Sequence, residues 1–129
     1  MRRLVLPVGA AAAIRAHETY TLPDECCGLL AGEPGLVRFV YSLTNANPSP
    51  SSFTIDPTEH FHSWRHASSN GWDLIGAYHS HPRGPGRPSK TDLALANEPE
   101  WVYLIVAAGE ISGWVIEARA AAEIAIDPG

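Results

Sequence analysis

An α/β fold, with a mixed central sheet flanked by helices, is the fold class the sequence predicts. Three observations point to it. Apolar runs of strand length alternate along the chain with segments of helical length and period. One run, Trp72-Asp73-Leu74-Ile75-Gly76-Ala77-Tyr78, is almost continuously apolar, which suits a strand covered on both faces in the middle of a sheet. The chain has 129 residues, 45% of them apolar, and no internal repeat, so residues 1–129 are expected to form one domain around a single core.

The elements follow in order. A strand is expected from Arg3 to Val8, then an Ala-rich helix from Ala10 to about Tyr20, which Pro23 brings to an end. Strands are expected at Cys26 to Ala31 and at Leu36 to Leu43. The polar stretch Asn45-Ala-Asn-Pro-Ser-Pro-Ser-Ser is a turn region that leads into a brief strand at Phe53 to Ile55. Asp56-Pro57 starts a helix, with Asp as the cap and Pro at the first position, and this helix runs to about Ser68 before Asn70-Gly71. The buried strand then ends at His79. A short helix opens at Ser89 and passes through Leu93 to Asn97, and strands follow at Trp101 to Ala107, Ile111 to Ala118 and Ala122 to Ile126.

The chemistry concentrates where the buried strand stops. Side chains alternate along a strand, so His79 and His81 point to one face and Ser80 to the other. Pro82 and the loop Arg83-Gly84-Pro85-Gly86-Arg87-Pro88 force the strand to end, and Asp92 falls in the first turn of the next helix, where a carboxylate is favourable. Two imidazoles and a carboxylate can supply three ligands to a zinc ion and leave its fourth position open, the arrangement of hydrolytic sites. Each piece also has a plainer reading. His-x-His can be a hydrogen-bonded strand end, and Ser89-x-x-Asp92 is close to a helix capping box that needs no metal.

Hydrolysis at such a site needs a base that takes a proton from water and returns it to the leaving amine. Glu25, at the entrance to the Cys26 strand, can lean over a neighbouring strand's end. It is one acid among fourteen, and pattern alone leaves Asp24 and Glu18 open as well.

Taken together, Pro23-x-Glu25-x-Cys27-Gly28-x-Leu30-x-Gly32, His79-Ser80-His81-Pro82 and Ser89-x-x-Asp92 resemble the JAMM (MPN-plus) zinc metalloproteases, small prokaryotic members in particular. The resemblance extends to about Trp114. It implies the three-layer, cytidine-deaminase-like MPN fold, zinc as cofactor on His79, His81 and Asp92, Glu25 as general base, and Ser89 assisting the tetrahedral intermediate. It further implies hydrolysis of peptide or isopeptide bonds at the C-terminal tail of ubiquitin-like or sulfur-carrier proteins: trimming an extension, cleaving a conjugate, or releasing cysteine from a carrier. A non-catalytic MPN scaffold is the alternative from another class, though such members usually lack intact ligands. A zinc nucleoside deaminase is excluded, because its His-x-Glu and Pro-Cys-x-x-Cys pairs are missing.

Other features bound the reading. A net charge of −5 argues against general nucleic-acid binding. No apolar stretch is long enough to span a bilayer, and the N-terminus lacks a signal-peptide pattern, so no membrane partner and a cytoplasmic protein are expected. Cys26 and Cys27 are adjacent and are expected to be buried thiols rather than a bridge. His60, His62 and His66 on the second helix are solvated or interfacial histidines, with a second metal as the rival reading. Trp101 and Trp114 are core or edge packing. Arg83, Arg87 and Lys90 either contact a carboxylate-bearing part of the substrate or keep their loop soluble. The segment around Phe53 to Ile55 is the expected strand edge for a substrate tail. Oligomeric state, a homodimer included, is left open.

Overall fold

In the computed structural model, which describes residues 3–129, the chain runs β1 (Arg3–Val5), α1 (Val8–Thr21), β2 (Cys27–Glu33), β3 (Leu36–Leu43), α2 (Pro57–Ser69), β4 (Asp73–Ser80), α3 (Lys90–Leu95), β5 (Val102–Ala107), β6 (Glu110–Glu117) and β7 (Ala120–Asp127). The expected mixed sheet with helices against it is formed. Its strand order is β1-β3-β2-β4-β5-β6-β7, and β1 pairs in parallel with both β3 and β7, so the sheet curls into a closed barrel. Closure through β1 and β7 is beyond what the sequence patterns predicted. It joins strands from the two ends of the chain, through Arg3↔Ala125, Leu4↔Ile126 and Val5↔Asp127.

Local chemistry sets the connections. Pro34-Gly35 fills the two-residue turn between β2 and β3, where Glu33 pairs with Leu36 and Gly35 takes a φ of 82° that a side chain would disfavour. Asp56 caps α2 as expected, accepting from the backbone N–H groups of Thr58 and Glu59, with Pro57 at the first position.

Two expected strands differ. The first stops at Val5 rather than Val8, because the chain turns into α1 at Val8. The brief strand at Phe53 to Ile55 does not form, and only an isolated bridge joins Asn45 to Ile55. There the Asn45 side chain replaces a partner strand: its Oδ1 accepts from the N–H of Asn47 and Thr54 and its Nδ2 donates to the carbonyls of Ser52 and Glu25.

β4 lies inside the sheet, antiparallel to β2 and parallel to β5, as its apolar run required. On one of its faces Tyr78 joins Leu4, Leu6, Ile14, Leu30, Val37, Leu104 and Val106 in the main core. Gly28 makes room for that ring, since a Cβ there would come within 2.1 Å of Tyr78 and 2.3 Å of the Tyr41 carbonyl. The other face carries His79, across from Cys27 on β2 and Ile105 on β5. The core and the three-strand centre thus hold the end of β4 rigidly, and the chemistry stands on that end.

Candidate metal centre

Alternation along β4 places the two histidines as predicted. Ser80 faces the core, fully buried, with its Oγ accepting from the N–H of Cys26 at 2.8 Å. The His81 N–H donates to the Val106 carbonyl, which carries the β4–β5 ladder one residue beyond the strand and keeps His81 on the face of His79. The two Nε2 atoms lie 3.0 Å apart. Phe53 stacks on the His79 ring, with centroids 4.8 Å apart, and closes one side of it.

Asp92 arrives from α3. Ser89 is the N-cap, its Oγ accepting from the Asp92 N–H, while Asp92 Oδ2 accepts from the Ser89 N–H at 2.9 Å, so the capping box is complete. The same Oδ2 lies 3.1 Å from His79 Nε2 and 3.0 Å from His81 Nε2. The capping-box reading and the ligand reading are therefore one arrangement, in which the cap aims the carboxylate.

These three donors fit a small tetrahedral cation. His79, His81 and Asp92 each offer a ligand atom, all within 4.8 Å of one another. A tetrahedral zinc with bonds near 2.0–2.1 Å would hold its ligands about 3.3 Å apart, a few tenths of an ångström from the observed spacing. His81 Nδ1 sits 2.8 Å from the Pro85 carbonyl, which fixes the proton on Nδ1 and leaves the Nε2 lone pair for a metal. Burial opposes ionisation of Asp92, yet the two imidazoles hold its carboxyl far below the usual range. Its hydrogen bond to His81 raises that imidazole, against the effect of burial.

Glu25 is buried at 5% exposure, and its backbone is held on both sides: its N–H donates to the Ser49 carbonyl and its carbonyl accepts from Asn45. Its carboxyl is pushed up to about 7, by burial first, with the charge on His81 lowering it and Asp92 raising it. It lines an open cleft of about 490 Å³ together with His81, Arg83, Arg87 and Ser89. Glu18 is engaged elsewhere, accepting from the Gly109 N–H in the β5–β6 turn. Asp24 is not among the cleft's lining residues. Of the three acids that pattern left open, Glu25 is the one that lines the cleft beside His81.

The remaining candidates are accounted for. Cys26 and Cys27 are buried free thiols, as expected, and burial pushes them up to about 11 and about 12, which disfavours the reactive thiolate. His66 Nδ1 meets the Tyr41 hydroxyl at 2.7 Å, His60 lies beside Trp101, and His62 is exposed next to Phe61. Trp101 and Trp114 are half-buried. Arg83, Arg87 and Lys90 are all exposed, and of the three Arg83 and Arg87 line the cleft while Lys90, at the start of α3, does not. Phe53, expected on a strand edge for a substrate tail, stacks on His79 instead because that strand does not form, and Asn45, whose side chain fastens the 45–54 loop to Glu25, has no expected role in the sequence reading. A lone Asn in a polar turn carries no signal of such a role.

Comparison with known proteins adds an independent finding. The model of the prokaryotic homologs of the JAB domain matches residues 7–119. The chain is 36% identical over 105 residues to the CysO-cysteine peptidase of Mycobacterium tuberculosis, covering 80% of this chain and 72% of that protein. It is 37% identical over 86 residues to the desampylase of Haloferax volcanii, covering 64% of this chain and 62% of that one. It is 36% identical over 94 residues to a probable TtuB-protein conjugate cleaving protease of Thermus thermophilus, covering 72% of this chain and 63% of that one. Among solved structures, a protein of Desulfitobacterium hafniense superposes with a TM-score of 0.86 at 34% identity over 95% of this chain and 90% of that one. A JAB1/MPN domain protein of Archaeoglobus fulgidus, at 19% identity, shares the fold with a TM-score of 0.62 over 95% of each chain.

Proposed function

The chain belongs to the prokaryotic homologs of the JAB domain, and on that premise we propose that it is a zinc-dependent peptidase or isopeptidase. Its substrates would be bonds at the C-terminal tail of ubiquitin-like or sulfur-carrier proteins. The observation that carries the reading is the convergence of His79 Nε2, His81 Nε2 and Asp92 Oδ2 beside a cleft that also contains Glu25. Relatives named as a CysO-cysteine peptidase, a TtuB-conjugate cleaving protease and a desampylase support the substrate class.

His79, His81 and Asp92 would hold the zinc, which supplies a Lewis acid able to make water nucleophilic near neutral pH and to polarise the scissile carbonyl. Glu25 takes a proton from the attacking water and delivers it to the departing nitrogen. A carboxyl raised to about 7 is suited to both halves of that exchange. Ser89 Oγ accepts from the Asp92 N–H, which leaves the hydroxyl proton free to donate to the developing oxyanion, a contribution worth about 3 kcal/mol in comparable sites. Water's oxygen ends on the acyl carbon, the C–N bond breaks, and the nitrogen leaves as a neutral amine. The buried thiols take no part.

The test is the intact mass of the organism's ubiquitin-fold sulfur carriers, each carrying a C-terminal extension, after incubation with zinc-loaded protein and with its Glu25→Ala form. Cleavage after the terminal glycine by the first and not the second is expected. Carriers left whole by a protein that has bound zinc would overturn the reading.

A further inference from the structure

Two arginines share the cleft with Glu25. Arg83 and Arg87 lie in the loop between β4 and α3, and that loop is fastened at its centre: the Pro85 carbonyl accepts from His81 Nδ1 at 2.8 Å and the Gly86 carbonyl from Ser112 Oγ at 2.5 Å. Pro82, Pro85 and Pro88 restrict it further. The backbone under both guanidinium groups is therefore set in place before any ligand arrives.

Neither guanidinium has an acidic partner. Among the described residues the ion pairs are Arg3 with Asp127, Arg38 with Glu33, and Asp92 with His79 and His81. The cleft's lining includes a single acid, Glu25, whose burial works against its ionisation. Two unpaired cations beside the reacting centre of a chain with net charge −5 are a local device, not a reflection of the overall field. The cavity on the other side of the ligands is different in kind. It is lined by Phe53, Ala77, Tyr103, Ile105 and Ile116 together with His79 and Asp92, and it is small, about 80 Å³.

We propose that Arg83 and Arg87 bind the free α-carboxylate of the leaving group, so that the preferred substrate releases a single amino acid rather than a lysine side chain. The inference rests on the peptidase reading above. Glu25 hands its proton to the departing nitrogen, so that nitrogen leaves into the cleft that Glu25 lines, which is the cleft the arginines line. In a released amino acid the α-carboxylate is two bonds from that nitrogen. An isopeptide-linked lysine places a neutral four-carbon stem there instead. Guanidinium groups suit a carboxylate because their N–H donors match its two oxygens in a fork. The carboxylate forms no bond in the reaction, and its part is to orient the leaving residue.

The probes are the organism's ubiquitin-fold sulfur carriers extended past the terminal glycine by one alanine, or by alaninamide, which has no carboxylate. With zinc-loaded wild-type protein, kcat/KM for the alanine form should exceed that for the alaninamide form by about tenfold or more. In an R83Q/R87Q double variant the ratio should fall to near one. Calorimetry on the zinc-loaded Glu25→Gln form, with and without the two arginine substitutions, should show the same ratio in Kd without turnover. A wild-type ratio near one, a ratio that survives the double substitution, or no binding of either carrier would overturn the assignment. Carriers bound with the expected preference but never cleaved would overturn the peptidase reading and leave the arginine assignment standing. Cleavage without preference would do the reverse.

Discussion

At the scale of single residues, strand and cap patterns bring out His79, His81 and Asp92 as candidate ligands, whereas Glu25 is singled out as the candidate base only by the family resemblance. Strand alternation turns His-x-His into two imidazoles on one face, and a capping position aims Asp92, so local geometry alone links these residues. Glu25 acquires its character from burial, which only the assembled fold supplies. That burial has a consequence for stability. A carboxyl whose folded pKa is raised from its ordinary value to about 7 is bound to more proton in the folded than in the unfolded chain across that interval. Its contribution is fully present below the ordinary value and is lost as pH rises through about 7. Glu25→Gln, which stays neutral, is therefore expected to make the metal-free protein more stable than wild type at pH 8 and little different at pH 4, as read by urea unfolding. The same substitution should lower turnover of zinc-loaded protein at least about a hundredfold, the range of a lost general acid–base, with zinc content unchanged. Wild-type turnover should decline as pH falls below the Glu25 pKa. A bound dication draws that limb below about 7.

At the scale of elements, the connection between β3 and α2 is where pattern reasoning lost its hold. Phe53-Thr54-Ile55 has strand composition, but the backbone there is taken up by Asn45, and the segment becomes a buttress instead of a sheet edge. β-propensity describes fit to a pleated, half-buried surface, and among the described residues only an isolated bridge from Asn45 to Ile55 pairs this segment. The loop's task is positional: Asn45 joins it to the Glu25 carbonyl, Ser49 accepts from the Glu25 N–H, and Phe53 lies on His79. Asn45 is itself 6% exposed and uses both ends of its amide. Asn45→Ala removes four hydrogen bonds and strands buried backbone groups, which should cost about 2–4 kcal/mol in urea unfolding. Because the released segment backs both Glu25 and His79, kcat should fall by more than zinc affinity does. An equal loss of the two would mean that the loop supports the ligands and not the base.

At the scale of the whole molecule, the helices and the run of strands followed from period and punctuation, while closure of the sheet did not. β1 and β7 meet across nearly the full length of the chain, and nothing in three residues such as Arg3-Leu4-Val5 designates so distant a partner. Closure holds the sheet's curvature, and β4 keeps its place between β2 and β5, so the candidate ligands at the strand's end, His79 and His81, are positioned without a metal. Asp92 is fixed less firmly. It stands on a six-residue helix with no buried residue, reached through a Gly- and Pro-rich loop. A metal bound at His79, His81 and Asp92 would therefore fasten α3 to the end of β4, a link that the core does not make. Any ligand that binds only the folded state stabilises it by mass action, by about 4 kcal/mol when its free concentration is roughly a thousandfold above Kd. Zinc should accordingly raise the melting temperature of the wild-type protein and of Glu25→Gln alike, since the proposed ligand set leaves Glu25 out. Asp92→Ala and His79→Ala should lose most of that rise. Hydrogen exchange measured with and without zinc should show new protection in residues 90–95 and little change in β2, β4 and β5. Protection spread evenly over the sheet would place the metal's effect in the core and contradict this division between a preformed strand end and a helix that the metal secures.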